Sequence, residues 1–214
     1  MIISRVMTKN PIYVHPDASI TETRSLMDRE KVGHLPVLDH NNTLAGIVTK
    51  EDMIKASPSE ATTLDMYEIS YLLSKMRVQE IMVKKVITVD ENEVVEEAAR
   101  IMADKDIGCL PVMRGSLLVG IITDTDLFRV FVNAFGARHA GVRVTLSMGE
   151  HPGELARISG AIAERGGNIV SFVTSEGDDV AHRRGTIKVG ELSKGELEAV
   201  MKSIPDVVVE DIRE

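Results

Sequence analysis

The sequence predicts an α+β protein built as a pair of β-α-β-β-α repeats with a smaller βαββαβ unit behind them. Three observations carry this. The chain matches itself at an offset near 75, which fixes the architecture before any local motif does. Within each copy the apolar spacing changes between two residues, as in strands, and three or four, as in helices. Composition then shifts after about residue 140, with ten of the 16 glycines in the last 74 residues.

Each element follows from its residues. Met7, Lys9, Ile12, Val14, Met27, Gly33, Leu35, Pro36 and Val37 fall on Met82, Lys84, Ile87, Val89, Met102, Gly108, Leu110, Pro111 and Val112. After a one-residue deletion in a polar turn, Leu44, Gly46, Ile47, Thr49 and Asp52 fall on Leu118, Gly120, Ile121, Thr123 and Asp126. A surface hairpin tolerates such a deletion. Each copy opens on a short strand, Ile12 to Val14 or Ile87 to Val89, and continues into an amphipathic helix marked by Val95, Ala98, Ala99 and Met102. Ser19 and Glu22 form the capping box that starts the first of these helices. Two strands joined by a polar turn follow, Leu35 to Leu38 and Leu44 to Val48, then a second helix from about Lys50. Such a unit leaves apolar surface on both sheet and helices, so the copies at 1–56 and 78–135 are read as one pseudo-symmetric domain. The 57–77 linker carries a turn at Ser57-Pro58-Ser59 and a helical stripe of Met66, Ile69, Leu73 and Met76. That stripe, with Leu72 and two tyrosines beside it, suits either the domain's own core or a subunit interface.

Ala134 to Gly141 reads as a linker, and residues 141–214 as a separate domain. Val142 to Met148 alternates as a strand, and Pro152 to Glu164 carries Leu155, Ile158 and Ile162 at helical spacing before stopping at Gly166-Gly167. Ile169 to Thr174 and Gly185 to Val189 read as strands, Lys194 to Ser203 as a helix and Val207 to Ile212 as the last strand. The order βαββαβ is the ferredoxin-like arrangement.

Length and charge exclude several classes of function. In 214 residues no catalytic barrel of ~250 residues fits beside a second module. The net charge of −8 divides evenly, with 9 basic and 13 acidic groups in residues 141–214 and 16 and 20 before them. Neither part offers the positive footprint of a nucleic-acid binder, and 4 Phe, 3 Tyr and no Trp leave few platforms for stacking bases. No run reaches the ~18 apolar residues of a membrane span. The N-terminus lacks the basic flank and apolar run of a secretory signal, and the single cysteine, Cys109, has no intrachain partner. A cytoplasmic protein without membrane or nucleic-acid partners is expected. Cys109 falls among strand residues, opposite His34 in the repeat, and is read as a buried structural thiol. The six histidines lack metal-ligand spacing and no nucleophile, base and oxyanion site come together, so no catalytic residue and no metal are assigned.

The residues able to bind something close each repeat: Gly46-Ile47-Val48-Thr49-Lys50-Glu51-Asp52 and Gly120-Ile121-Ile122-Thr123-Asp124-Thr125-Asp126. Thr followed three residues later by Asp makes a capping box, which is local structure alone. The same geometry presents N–H groups and the positive end of a helix dipole to a phosphate. It also sets an Asp where two vicinal ribose hydroxyls can donate to it. Recurrence in both repeats favours the binding role. Lys50 beside one helix start attracts anions and Asp124 at the matching position repels them, whereas bulky Tyr13 in the first copy against Thr88 in the second points the other way on steric grounds. One strong site is expected, and these two arguments leave its place open.

Met-Thr-x-Asn-Pro (Met7 to Pro11), Gly-x-Leu-Pro-Val (Gly33 to Val37, Gly108 to Val112) and the closing Thr-x-x-Asp motif resemble tandem CBS (cystathionine β-synthase) domains, a Bateman module, over roughly residues 1–135. The resemblance implies an adenosine-containing ligand, commonly AMP, ADP, ATP or S-adenosylmethionine, held between the repeats. It implies phosphate at the Thr, ribose at the Asp, and adenine against the backbone of the first strand and the Gly-x-x-Pro strand. Those roles map onto Ile12, Tyr13, Gly33, Leu35, Pro36, Thr49 and Asp52, with Lys50, for one cleft. The other cleft takes Ile87, Thr88, Gly108, Leu110, Pro111, Thr123 and Asp126. The stretch Tyr71-Leu72-Leu73-Ser74-Lys75 further resembles bacterial acetoin-utilisation accessory proteins.

Behind the repeats, Glu150-His151-Pro152-Gly153-Glu154-Leu155 and Gly166-Gly167-Asn168-Ile169 resemble an ACT domain, with Glu150 where Asp is more usual. The resemblance implies a regulatory module that pairs between subunits and often binds an amino acid, here at His151, Gly153, Glu154, Leu155, Asn168 and Ile169. A Pro-Gly turn lets a helix N-terminus approach a ligand carboxylate while Asn168 holds the polar end; alternatively, Pro152 only starts the helix and Asn168 only fills a turn. The expected whole is a non-catalytic, homodimeric sensor in which a ligand bridging the repeats biases the C-terminal domain or a partner. A ligand-free assembly module is the rival reading.

Overall fold

The computed structural model describes residues 1–56 and 65–214. The Ser57-Pro58-Ser59 turn and the side chains of Met66, Ile69 and Leu72 lie outside the described residues. The chain divides into two compact units, Met1–Leu127 and Phe128–Glu214.

In the first unit, β1 (Thr8–Lys9) precedes α1 (Ile20–Glu30), β2 (His34–Leu38), β3 (Leu44–Thr49) and α2 (Lys50–Ala56). The expected capping box starts α1: Ser19 Oγ accepts the Glu22 N–H and the Glu22 carboxylate accepts the Ser19 N–H. α3 (Met66–Lys75) and the single turn α4 (Val78–Ile81) lead to the second copy, β4 (Val89–Asp90), α5 (Val95–Lys105), β5 (Cys109–Arg114), β6 (Leu117–Thr123) and α6 (Asp124–Ala134). The division between the units falls inside α6. On α3, Tyr67 and Tyr71 face solvent, while Met76, just past its end, packs on the core of the first repeat.

The two repeats exchange arms. β1 belongs to the start of the first copy yet pairs with β6 of the second, Thr8 opposite Ile121 and Lys9 opposite Gly120, in a sheet ordered β1-β6-β5-β4. Reciprocally, Val83 ahead of the second copy bridges Ile47 in β3, through two backbone hydrogen bonds of 3.0 and 2.9 Å. The first copy therefore has the same order, Val83, β3, β2, Val14, with its outer members reduced to single bridges. Each arm lays a methionine over a motif glycine, Met82 on Gly46 and Met7 on Gly120. A side chain at either glycine would collide with the arm, so close approach of the arm is what requires glycine there. The strand expected at Ile12 to Val14 contracts to the Val14–Val37 bridge; Pro11 and Pro16, which lack N–H donors, flank it. Ile87 and Thr88 likewise precede β4 and are not part of it.

Apolar residues at the predicted periods fill the interior. Met27, Leu35, Val37, Val48 and Met53 of the first copy pack with Val78 from the arm. Ile47, Cys109 and Ile121 join the two copies, with Val86 against them. Neither copy completes its sheet without residues from the other, and the core of the first takes in Val78 from the arm.

In the second unit, β7 (Val142–Gly149), α7 (Glu154–Glu164), β8 (Asn168–Glu176), β9 (His182–Gly190), α8 (Lys194–Lys202) and β10 (Val208–Arg213) form an antiparallel sheet ordered β10-β7-β9-β8. This is the ferredoxin-like arrangement the element order predicts. Leu146, Met148, Ile158, Ile162, Ile187 and Leu197 are buried between sheet and helices. Helix α7 begins two residues later than expected, because Gly153 takes a φ of 93° and Pro152 stays outside the helix.

Candidate functional site

β3 hands over to α2, and β6 to α6, at the two Thr-x-x-Asp motifs. Asp52 Oδ2 accepts from the Thr49 N–H at 2.9 Å and from its hydroxyl at 2.8 Å, and Thr49 Oγ1 accepts the Asp52 N–H at 3.1 Å. The Lys50 N–H donates to Gly33 O at 3.0 Å. The second motif repeats this, with Thr123 donating to Asp126 Oδ2 at 3.0 and 2.9 Å and the Asp124 N–H donating to Gly108 O at 3.0 Å. Both motifs are capping boxes, and several N–H groups expected to face a phosphate are satisfied inside the chain.

One position separates the boxes. Asp124 turns its carboxylate back to accept from the N–H and hydroxyl of Thr125. Lys50 instead reaches Asp28 with its ammonium at 2.9 Å, which holds the Asp28 carboxyl below its ordinary range.

A cavity of about 490 Å³ opens beside the first box, within the size range of small-molecule sites. Gly33, Thr49, Lys50 and Asp52 of the first copy line it together with Ile87 and Gly108 of the second. The crossing arm, pinned to β3 by the Val83–Ile47 pair, carries Ile87 of the second copy to the first box. Ile12, Tyr13, Leu35 and Pro36 do not line this cavity, nor do Thr88, Leu110, Pro111, Thr123 and Asp126. Leu35 and Leu110 are core residues, 1% and 0% exposed, while Ile12 and Tyr13 are exposed elsewhere. His34 and Cys109, absent from the expected site, both line the cavity; their equivalence in the repeat was the available signal. Burial lowers the His34 pKa against the pull of Asp124 and Asp52. Burial, with the same two carboxylates adding, pushes the Cys109 thiol up to about 12.

In the second unit, His151, Gly153, Glu154 and Leu155 line a cavity of about 390 Å³ with Thr174 and Arg183. Asn168 and Ile169 do not line it. They begin β8, beyond the far end of the 11-residue α7, roughly 16 Å along at 1.5 Å per residue. Glu154 is buried, pairs with Arg157 and stands 3.4 Å from His151 Nδ1. A carboxylate thus already occupies the helix start to which a ligand carboxylate was assigned. Among the described residues no cluster of three metal-ligating side chains forms, and no helix is long and apolar enough to cross a membrane.

Known proteins share this architecture over 61–65% of the chain. The solved CBS domain pair of protein MJ0100, in complex with 5′-methylthioadenosine and S-adenosyl-L-methionine, is 29% identical with a TM-score of 0.52 over 65% of this chain and 98% of that one. A Vibrio cholerae protein assigned to acetoin utilization (AcuB) is 29% identical with a TM-score of 0.53, over 64% of this chain and 95% of its own. CBSX2 in complex with AMP is 29% identical with a TM-score of 0.50, over 61% of this chain and 96% of that one. L-aspartate semialdehyde sulfurtransferase of Methanocaldococcus jannaschii is 30% identical over 131 residues, a stretch spanning 61% of this chain and 23% of the enzyme. The family model for the CBS domain matches twice, at residues 3–59 and 78–133, more than half of the sequence and the same two copies that exchange arms, so the chain belongs to the CBS-domain family.

Proposed function

We propose that the chain is a non-catalytic sensor that binds an adenosine-containing ligand, AMP, ADP, ATP or S-adenosylmethionine, in the cavity at Thr49. The observation that carries this is the meeting of the Thr49–Asp52 box with Ile87 and Gly108 in one cavity of about 490 Å³. Both bonds from Thr49 fall on Asp52 Oδ2, which directs the ribose hydroxyls to Oδ1. Thr49 and Lys50 meet the phosphate side, and the backbone of Gly33, Ile87 and Gly108 walls the base. The adenosine ligands of the MJ0100 pair and of CBSX2 support the ligand class. The remaining residues assigned from the family pattern, Ile12, Tyr13, Leu35 and Pro36 with Thr88, Leu110, Pro111, Thr123 and Asp126, serve the fold in this reading.

The C-terminal unit is read as an ACT-like regulatory domain, on its βαββαβ order and on the His151 to Leu155 cavity, with an amino acid as its ligand class. The full chain acts as a cytoplasmic homodimer with boundaries near 1–56, 78–135 and 141–214. One observation favours the rival reading, a ligand-free assembly module: both motif aspartates are bonded within their own capping boxes. Thermal melting of the full chain with AMP, ATP, S-adenosylmethionine and a panel of amino acids decides between them. A ligand at 100 times its Kd stabilises by about 2.7 kcal/mol. Melting temperatures unmoved by every adenosine compound would leave the assembly module standing.

A further inference from the structure

The two Thr-x-x-Asp boxes share backbone geometry but not electrostatics. In each, the residue after the Thr donates its N–H to the matching glycine, Gly33 or Gly108. Around the second box every N–H from Thr123 to Asp126 donates within the chain: to Asp126, Gly108, Asp124 and Thr123 in turn. The acceptor for Thr125 is the Asp124 carboxylate, so a negative charge occupies the place a phosphate would take. At the first box that place belongs to Lys50, which supplies no acceptor. The adjoining cavity also receives Lys55, paired with Glu51 at 2.9 Å, and Lys85, which has no acidic partner among the described residues. The acids there, Glu51, Asp52 and Asp106, balance these cations in number; Glu51 pairs with Lys55, Asp52 is held by Thr49, and Lys50 pairs with the exposed Asp28 outside the cavity lining.

We infer that a phosphate-bearing ligand binds once per chain, in the cavity at Thr49, and that Asp124 bars the matching position of the second repeat to anions. This rests on the sensor reading above and adds the ligand's charge and stoichiometry to it. The charge is set by a residue that lies outside the Thr and Asp of the motif and leaves their capping geometry intact.

Calorimetric titration of the full chain with AMP tests it. The unmodified protein takes one equivalent per chain. Lys50→Asp, which retains both members of the capping box but gives up the exposed Lys50–Asp28 pair, weakens AMP at least tenfold with only a small fall in melting temperature without ligand; Lys50→Gln, which gives up the same pair without adding a charge, loses less affinity. Asp124→Lys gains a second equivalent. Two equivalents in the unmodified protein, unchanged affinity in Lys50→Asp, or a single equivalent in Asp124→Lys would each overturn the inference and leave the sensor reading intact. Binding of S-adenosylmethionine or adenosine without AMP overturns the phosphate requirement. No binding of any adenosine compound overturns the sensor reading itself, and this inference with it.

Discussion

Gly46 is the position where the arm exchange can be measured. A Cβ there would lie 2.6 Å from Met82 Sδ, 3.0 Å from Met82 Cγ and 3.0 Å from the Val83 carbonyl oxygen. The methionine tip can rotate away, but Val83 is held by its two backbone hydrogen bonds to Ile47 on the neighbouring residue of β3. Gly46→Ala therefore forces either the arm or β3 to shift. Overpacking of this kind costs about 1–3 kcal/mol, and removing a glycine from a strand interior returns only about 0.5–1 kcal/mol. A net loss of roughly 1–2 kcal/mol is expected, read as a lower urea midpoint at unchanged slope. The double mutant with Met82→Ala isolates the cause, since it removes the sulfur and Cγ contacts. The two losses should then combine to less than their sum by at least about 0.5 kcal/mol. A Gly46→Ala protein as stable as the parent, or strictly additive losses, would refute the claim that this glycine exists to admit the arm.

Two further outcomes follow from the titrating groups. The Cys109 thiol, pushed up to about 12 from an ordinary value of 9.0, stays protonated in the folded protein while an unfolded chain ionises. Stability is then full below pH 9 and falls as pH rises from 9 towards 12; Cys109→Ala should flatten that decline, and a disulfide reagent at pH 8 should label the native thiol at least tenfold more slowly than the unfolded one. At the acid end, hydrogen bonds from Ser19, Lys50, Ser193 and Lys202 hold the carboxyls of Glu22, Asp28, Glu196 and Glu198 below their ordinary range. Lowered folded values mean stability present above the ordinary carboxylate range and lost as pH falls through the folded values. The urea midpoint should be level from neutral pH to about 5 and decline below 4; a midpoint that rises on acidification contradicts these bonds.

Much of the fold is legible because it is local. The capping box at Ser19 and Glu22, the apolar spacing from Val95 to Met102, and the βαββαβ order after residue 141 each depend on residues a few positions apart, and each forms. The candidate site is less legible. The Thr-x-x-Asp boxes form as the spacing requires, but their cavity partners come from another part of the chain. Asn168 shows the same limit in the second unit, since proximity in sequence to the end of α7 placed it away from the start of that helix.

The sequence by itself determined that the chain is a duplication, where its helices start, and which threonines and aspartates pair. Hydrogen bonds spanning three or four residues and periodic burial are enough for that. Only the tertiary structure decided that each repeat lends its leading arm to the other, that Ile87 and Gly108 share a cavity with Thr49, and that Asp124 folds back on its own helix start. Sheet edges and side-chain charges are completed by whichever segment reaches them, and that depends on the path of the whole chain rather than on any window along it.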